Sequence, residues 1–456
     1  MSRGEELLAK YEKEVEAIWR KMTPRSRELC EGAEKYTPGG ALRSHTTGTY
    51  PAYGERVDGC YMYDVDGNRY IDLVLGMTCI IGHNHPKVAQ ALQEQIPKGL
   101  VSFKPSVGND EFAEMMCKRV PSVDKVWFTL GGSQSFMWAI RAARAFTGRD
   151  KIIRIRGGYN GTYDDAYATP PNASQPTGSR GLPKNTMDNI LFINWNDKEG
   201  TEKVIRENKD DLAAVLTEGL QTGGTIPPKD GYLAFLREIT SKYGIVLIFD
   251  EIVNFWLAHG GTGDLYNVEP DLCCYGKGIG GGLSMGLIGG RNDIMKLFSQ
   301  KEQVRIAAIV AHQGDPMSVA ASTACLNILT ADEIARINAN GELMANGIRS
   351  ILTELGIRGQ VIGYGNHQSV HLTTAEEVVD PVIYSKAANA PGLKDAMSLY
   401  RRTLINKGVL TLENLMALRT STPLSENEIE TALSAMREGF IEIHPILKEV
   451  APDLVT

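Results

Sequence analysis

Hydrophobic positions recur at helical spacing at the start of the chain, where Leu8, Tyr11, Val15, Ile18 and Met22 mark one face of an amphipathic helix that Pro24 interrupts. Such a stripe docks either on its own subunit or on a partner copy, and a partner is the expectation here. From Tyr61 to Leu73 the pattern becomes strand, then the turn-forming Asp66-Gly67-Asn68, then strand, as in a hairpin. Beyond it, short apolar runs at residues 126–128, 152–155, 190–193, 213–216, 245–249 and 285–288 alternate with helical patterns such as 133–147 and 231–243. Runs of that kind fit parallel strands buried on both faces, with crossover helices between them. After about residue 326 the chain turns to long helices, near 331–355, 394–407 and 425–447, separated by short strands such as 369–372. The expected architecture is α/β. A large domain over 76–325 carries a mainly parallel sheet flanked by helices, and a smaller α+β domain draws on both termini, 1–75 (helix and hairpin) and 326–456. No internal repeat or low-complexity tract breaks this plan.

The 456 residues, 43% hydrophobic and 23% charged, supply material for more than one core in the proportions of an ordinary globular protein. A net charge of -7 with scattered basic residues argues against a nucleic-acid partner and against a polybasic membrane anchor, which makes small molecules the expected ligands. Seven cysteines, odd in number and irregularly spaced, suit a reducing compartment, and a cytoplasmic location is expected. The first twenty-one residues are charged throughout and no apolar run reaches the roughly eighteen residues of a spanning helix, so neither a signal peptide nor a membrane span is expected.

Chemistry concentrates in five places. Ile245-Val246-Leu247-Ile248-Phe249 is an apolar strand that delivers Asp250 and Glu251 at its C-terminal end, where open α/β sheets bind ligands. A carboxylate there can hold a proton on a heteroaromatic nitrogen, as an electron-sink cofactor requires; a solvated Asp-Glu pair is the ordinary alternative. Next, Leu272-Cys273-Cys274-Tyr275 leads into Gly276-Lys277-Gly278, a lysine among apolar and glycine residues. Such a lysine is readily deprotonated, and a neutral amine attacks an aldehyde to form an imine, whereas a nucleotide-binding P-loop would need a Ser or Thr where Gly278 stands. Third, Gly131-Gly132-Ser133 joins a strand to a helix, and backbone amides at a helix N-terminus favour a phosphate, although any N-cap looks similar. Fourth, Tyr159 sits on a glycine-flanked loop where its ring could stack on a flat ligand. Fifth, Glu218 ends the 213–216 strand region with Gln221 just beyond, both able to face a ligand's polar atoms.

Taken in order, Gly132-Ser133, Tyr159, Glu218, Asp250-Glu251 and Lys277 resemble the class III aminotransferase family of fold type I pyridoxal-phosphate enzymes, over roughly residues 36 to 440. The stretches from Tyr61 to Asp72 and Gly82-His83-Asn84-His85-Pro86 are similar to segments that precede the cofactor domain in that family, so His83 and His85 are not assigned to a metal and no metal site is expected. The resemblance implies pyridoxal 5'-phosphate as cofactor. It implies Lys277 as the imine-forming lysine and proton shuttle, Asp250 on the pyridine nitrogen, Tyr159 stacked on the ring, Val253 on the opposite face, Gln221 near the ring hydroxyl with Glu218 beside it, and Gly132 and Ser133 on the phosphate. It also implies a homodimer with sites at the subunit interface.

Within the family, glutamate-1-semialdehyde aminomutases and aminotransferases for β-amino or aromatic amino acids look nearest. Pro38-Gly39-Gly40-Ala41-Leu42-Arg43-Ser44 is similar to the entry segment of the β-amino-acid enzymes, which makes Arg43 a candidate for a substrate carboxylate, with Arg419 a second. Three departures stand out. The phosphate turn reads Gly131-Gly132-Ser133-Gln134 rather than Ser-Gly-Thr-Glu. The stretch from Val310 to Pro316 lacks the threonine that relatives lend to the partner's phosphate, with His312 a candidate replacement. Ile252-Val253-Asn254-Phe255-Trp256-Leu257 stands where many relatives have an arginine, which suggests an apolar wall, Trp256 included, for a hydrophobic or aromatic substrate. The leading expectation is an aminotransferase acting between an amino acid and a 2-oxo acid. An aminomutase or racemase needing no external acceptor is the alternative within the same chemistry, and a non-catalytic binding protein on the same fold is the alternative outside it. A dinucleotide-binding enzyme would need a glycine fingerprint after its first strand, and the glycines cluster instead around Lys277.

Overall fold

The computed structural model describes residues 2–40, 50–100, 104–168, 181–381, 390, 392–411 and 416–456. The chain opens with the helix Arg3–Met22, started by a reciprocal cap in which Ser2 Oγ accepts from Glu5 N (3.3 Å) and Glu5 Oε2 accepts from Ser2 N (2.7 Å). Pro24 begins a second helix, Pro24–Ala33, in the first turn, where an N–H would have no intrahelical acceptor. Within this subunit Leu8, Tyr11 and Val15 of the stripe are packed, while Ile18 remains 49% exposed. Leu7, Leu8 and Tyr11 pack on the core formed by the helices Leu393–Asn406 and Glu426–Val450. Tyr11 Oη meets Thr403 Oγ1 and donates to Glu442 Oε2, both at 2.7 Å, while Arg402 pairs with Glu12 and Glu16. The C-terminal helices present a complementary apolar face within the same chain, and covering it removes that surface from water.

Strands β1 (Gly54–Asp58), β2 (Tyr61–Asp64) and β3 (Arg69–Asp72) form an antiparallel meander. The β2–β3 turn is built around Asp64, whose Oδ1 accepts from the backbone N–H of Asp66 and Asn68. Next come β4 (Lys125–Thr129), β5 (Lys151–Ile155), β6 (Ile190–Ile193), β7 (Leu212–Glu218), β8 (Val246–Asp250), β9 (Leu272–Tyr275) and β10 (Gly286–Gly290). They form a seven-stranded sheet in the order β4-β10-β9-β8-β7-β5-β6. The order shows the crossovers that helices such as Gly132–Thr147 and Tyr232–Tyr243 provide. Side chains alternate between two packed faces: Leu247 and Phe249 enter one hydrophobic cluster, Val246 and Ile248 the other.

One strand departs from the expected parallel set. The run at 285–288, observed as β10, is antiparallel to both β9 and β4. The link from β9 to β10 holds only a short helical turn, Lys277–Gly280, and a connection that short can join antiparallel neighbours but not parallel ones. The sheet remains mainly parallel, and the architecture is the expected α/β one. In the last part of the chain, β11 (Gln360–Tyr364), β12 (His367–His371), β13 (Val409–Leu410) and β14 (Ala417–Arg419) accompany the long helices Ala331–Glu354 and Glu426–Val450. β13 lies parallel to β3, so the N-terminal meander and the C-terminal part share one sheet, while β11, β12 and β14 form another.

Candidate active site

The ends of β4, β5, β7, β8 and β9 converge at the C-terminal edge of the large sheet, where strand ends free the backbone to turn and side chains to face a ligand. Glu218 closes β7 directly opposite Asp250 on β8, and Asp250 in turn lies opposite Cys274 on β9. Asp250 is buried, with Oδ1 accepting from Ile252 N (3.0 Å) and Oδ2 accepting from Asn160 Nδ2 (2.9 Å). Burial pushes its carboxyl up to about 6, while those two donors and the nearby charge of Lys277 pull it down.

Glu218 is more strongly affected. Burial, then the charge of Asp250, push it up to about 8, so the fold opposes its ionisation. Glu218 Oε2 accepts from Thr222 N (2.5 Å). Gln221 is fully buried, and in the amide orientation that satisfies both its ends it donates to Glu218 Oε2 (3.0 Å) and accepts from Gly158 N (3.3 Å). This ties the β7 loop to the β5 loop.

Lys277 follows β9 with a left-handed backbone, φ 48°, a conformation a lysine keeps only when its surroundings impose it. The surroundings are tight on both sides. A Cβ at Gly276 would lie 2.9 Å from Gly132 N, and one at Gly278 would lie 2.6 Å from Trp256 Nε1. The side chain itself is exposed in this chain, which corrects the picture of a lysine sequestered among apolar groups, and its charge acts on Glu218 and Asp250.

Gly132 and Ser133 start the helix Gly132–Thr147, whose N-cap Gly131 supplies no side-chain cap to the first-turn amides. The loop carrying Tyr159 lies against this helix end, since Thr162 N donates to Ser133 Oγ (3.2 Å). Gly161, at φ 100°, fits there because a Cβ would come within 2.8 Å of Ser133 Cα. Tyr159 presents a ring that is 55% exposed, and Val253 is buried in the cluster beneath β8.

Not every expected residue reaches this edge. Trp256 does not line an open pocket: it is 1% exposed, packs on Phe255 with centroids 4.7 Å apart, and lies 5.5 Å from the Arg119 guanidinium. The turn Asn254–Leu257 directs its apolar side chains into the core, so the apolar run after Asp250 supports the Lys277 turn from below. Arg419 is buried as well, but it lies within reach of the charge of Glu218 at this edge. Its Nη1 donates to the carbonyls of Gln368 and Leu418 (both 3.1 Å) and its Nη2 to Thr225 Oγ1 (3.2 Å), while Nε has no partner among the described residues. Burial brings its guanidinium down to about 9, with the charge of Glu218 acting in the opposite sense. Arg43 lies outside the described residues, and His312 is exposed.

Several participants were not anticipated. Asn160 contacts Asp250 directly, and Arg154, the one charged residue within the apolar run of β5, contacts Asn160. A charge inside a buried strand was the available signal. His367 on β12 is fully buried with Nδ1 3.3 Å from Asn254 Oδ1; nothing in the local sequence of β12 announced that meeting.

The family model described as aminotransferase class-III matches residues 43–437. Among curated proteins, a glutamate-1-semialdehyde 2,1-aminomutase of Methanosphaera stadtmanae is 33% identical over 92% of this chain and 99% of its own length, and one of Methanothermobacter thermautotrophicus is 36% identical over 77% and 84%. Among solved structures, an omega-transaminase from Sphaerobacter thermophilus superposes with a TM-score of 0.87 at 30% identity, covering 92% of this chain and 98% of that one. A β-phenylalanine aminotransferase from Variovorax paradoxus gives 0.86 at 26%, covering 97% and 98%.

Proposed function

Because this chain belongs to the class III aminotransferase family and has pyridoxal 5'-phosphate as its cofactor, we propose that it moves an amino group between an amino acid and a 2-oxo acid by way of Lys277. The observation that carries this reading is the convergence of Lys277, Asp250, Glu218 and an uncapped helix end at one sheet edge. The residues present fit the cofactor, since the bare positions 161 and 276 keep side-chain bulk away from the helix end at Gly132 and Ser133. When bound, the cofactor supplies an electron sink that acidifies the substrate's carbon-bound proton.

The chain's own groups do the rest in this reading. Gly132 and Ser133 hold the phosphate at the helix end, Tyr159 and Val253 enclose the ring from its two faces, and Gln221, fixed by Glu218, lies at the ring hydroxyl. Asp250 holds a proton at the pyridine nitrogen, for which its ionised state is required. Lys277 Nζ carries the proton between substrate and cofactor carbons. A β-amino or aromatic donor, supported by the likeness to the β-phenylalanine aminotransferase, with its carboxylate on Arg43 or on Arg419, is part of the proposal. So is the division into segments 1–75, 76–325 and 326–456.

A second copy completes the proposed site. Exposed apolar residues, among them Leu130 beside the phosphate turn, Val107 at 74% and Ile309 at 75%, support a partner that covers them and Lys277 with them. Seven free cysteines support a reducing, cytoplasmic setting, and no helix among the described residues is long and apolar enough to cross a membrane.

A second reading, an aminomutase or racemase working on one substrate, is supported by the aminomutase relatives at 33% and 36% identity. The deciding experiment incubates cofactor-loaded protein with a panel of single amino compounds, with and without a 2-oxo acid. Product that forms only with the acceptor supports transamination. Turnover of a lone compound replaces it with the single-substrate reading, and no turnover anywhere favours a binding protein.

A further inference from the structure

Arg154 interrupts an otherwise apolar stretch of β5 and is 2% exposed. A guanidinium removed from water loses its hydration unless its donors are used, so the position calls for a physical reason. All its described hydrogen bonds go to the segment that follows its own strand. Nη1 donates to Ala168 O, Nη2 to Gly158 O (3.2 Å) and Nε to Asn160 Oδ1 (3.4 Å). The guanidinium carbon also lies 5.9 Å from the centre of the Phe192 ring on β6. Arg154 thereby pins the loop between residues 158 and 168 from beneath, while its other side rests on Ser133.

The contact with Asn160 has a directional consequence. A carboxamide has an acceptor end and a donor end, and once Oδ1 is held by Arg154, Nδ2 points the opposite way. There it donates to Asp250 Oδ2 at 2.9 Å, and Asn160 is 4% exposed, so water does not compete for the bond. Turned over, the amide would set an oxygen against a carboxylate oxygen in a buried site, a repulsive contact. Arg154 excludes that state.

Asp250 needs such a donor because of the groups around it. Glu218 faces it from β7, Cys274 from β9, and Glu251 adjoins it along the chain. Lys277 from the turn after β9 contributes the favourable charge, and Tyr159 stands on the same loop as Asn160. Burial among these groups favours a protonated, neutral Asp250, and the N–H groups of Ile252 and Asn160 oppose it.

We propose that Arg154 and Asn160 are a positioning relay for the cofactor site: Arg154 fixes the amide of Asn160, and that amide keeps Asp250 ionised and aimed at the cofactor's pyridine nitrogen. The proposal rests on the reading of Asp250 given above, and the test separates the two. Neither residue touches the cofactor in it. Both act through Asp250.

The test measures the dissociation constant of pyridoxal 5'-phosphate by equilibrium dialysis of the full chain from pH 6 to pH 9. The proteins are wild type, Asn160→Leu, Arg154→Met, the double variant and Asp250→Asn. Losing a donor to a buried carboxylate weakens binding about tenfold or more at pH 6 to 7. The deficit shrinks toward pH 9, where Asp250 ionises without help. Asp250→Asn binds weakly at every pH, and the double variant is no weaker than Asn160→Leu alone. Asn160→Asp, nearly isosteric, serves where the leucine variant fails to fold and gives an equal or larger deficit at low pH; Asn160→His, which keeps a ring N–H, retains affinity. A deficit independent of pH, or additive effects in the double variant, overturns the relay. If Asp250→Asn binds as tightly as wild type, the reading of Asp250 falls and the relay with it. If Asp250→Asn is weak while Asn160→Leu and Arg154→Met match wild type, the relay alone falls.

Discussion

Replacing Glu218 by glutamine removes a buried carboxyl whose ionisation the fold opposes. The group stands at about 8 in the folded chain against an ordinary value of 4.5, through burial and the charge of Asp250 opposite. Below about pH 4.5 it is neutral in both folded and unfolded chains and makes no difference. Between there and about 8 the unfolded chain releases the proton while the folded one keeps it, so stability is lost progressively, and above 8 the loss is complete. At about 1.4 kcal/mol per pH unit, the interval corresponds to a ceiling of roughly 5 kcal/mol. Glutamine never ionises, keeps the shape, and can turn its oxygen to Thr222 N in place of the carboxyl oxygen. Any fixed cost of the substitution is the same at every pH. Urea denaturation of the cofactor-free proteins at pH 5, 7 and 9 therefore gives a Glu218→Gln stability, relative to wild type, that climbs by several kcal/mol across the series. A difference that stays flat from pH 5 to 9 would show that Glu218 ionises freely in the fold, and the account of this edge as a low-dielectric cluster would be refuted.

Lys277→Ala should abolish the borohydride-reducible visible absorbance of the cofactor-loaded protein and lower turnover on the order of 10³-fold or more, with a retained band speaking for a different lysine. Gly161→Ala forces a side chain into a left-handed backbone position 2.8 Å from Ser133 Cα, for an expected loss of about 2–3 kcal/mol in a urea midpoint; an unchanged midpoint would mean the loop does not rest on that helix end. Tyr11→Phe removes the hydroxyl contacts to Thr403 and Glu442, costing about 1–2 kcal/mol with no change in oligomeric state by light scattering. A shift toward monomer would instead mean that this helix does hold a partner.

The large sheet was legible because buried strands and crossover helices write different periods into the chain. The residues that gather at its C-terminal edge were legible as strand ends and glycine-flanked turns: Asp250, Lys277, Gly132 and Glu218 all stand at such places. The direction of β10 was not, since an apolar run of four or five residues looks the same whichever way it is threaded. The docking of the first helix escaped for a similar reason. Its stripe declares that something is covered without declaring what, and the covering surface comes from helices some four hundred residues later.

What the amino-acid order determined by itself, then, is local: which segments are strands and helices, where turns fall, and which reactive groups stand beside them. Tertiary structure decided the pairings. It turned Trp256 into support for the Lys277 turn rather than a pocket wall, took Arg419 into the interior, and brought Asn160 to Asp250 across ninety residues of sequence. It also made Glu218 a carboxyl whose ionisation burial and the charge of Asp250 oppose. Each of these depends on distances between segments remote in the chain and on the exclusion of water from the space between them, and burial of that kind is a property of the assembled core rather than of any stretch that contributes to it.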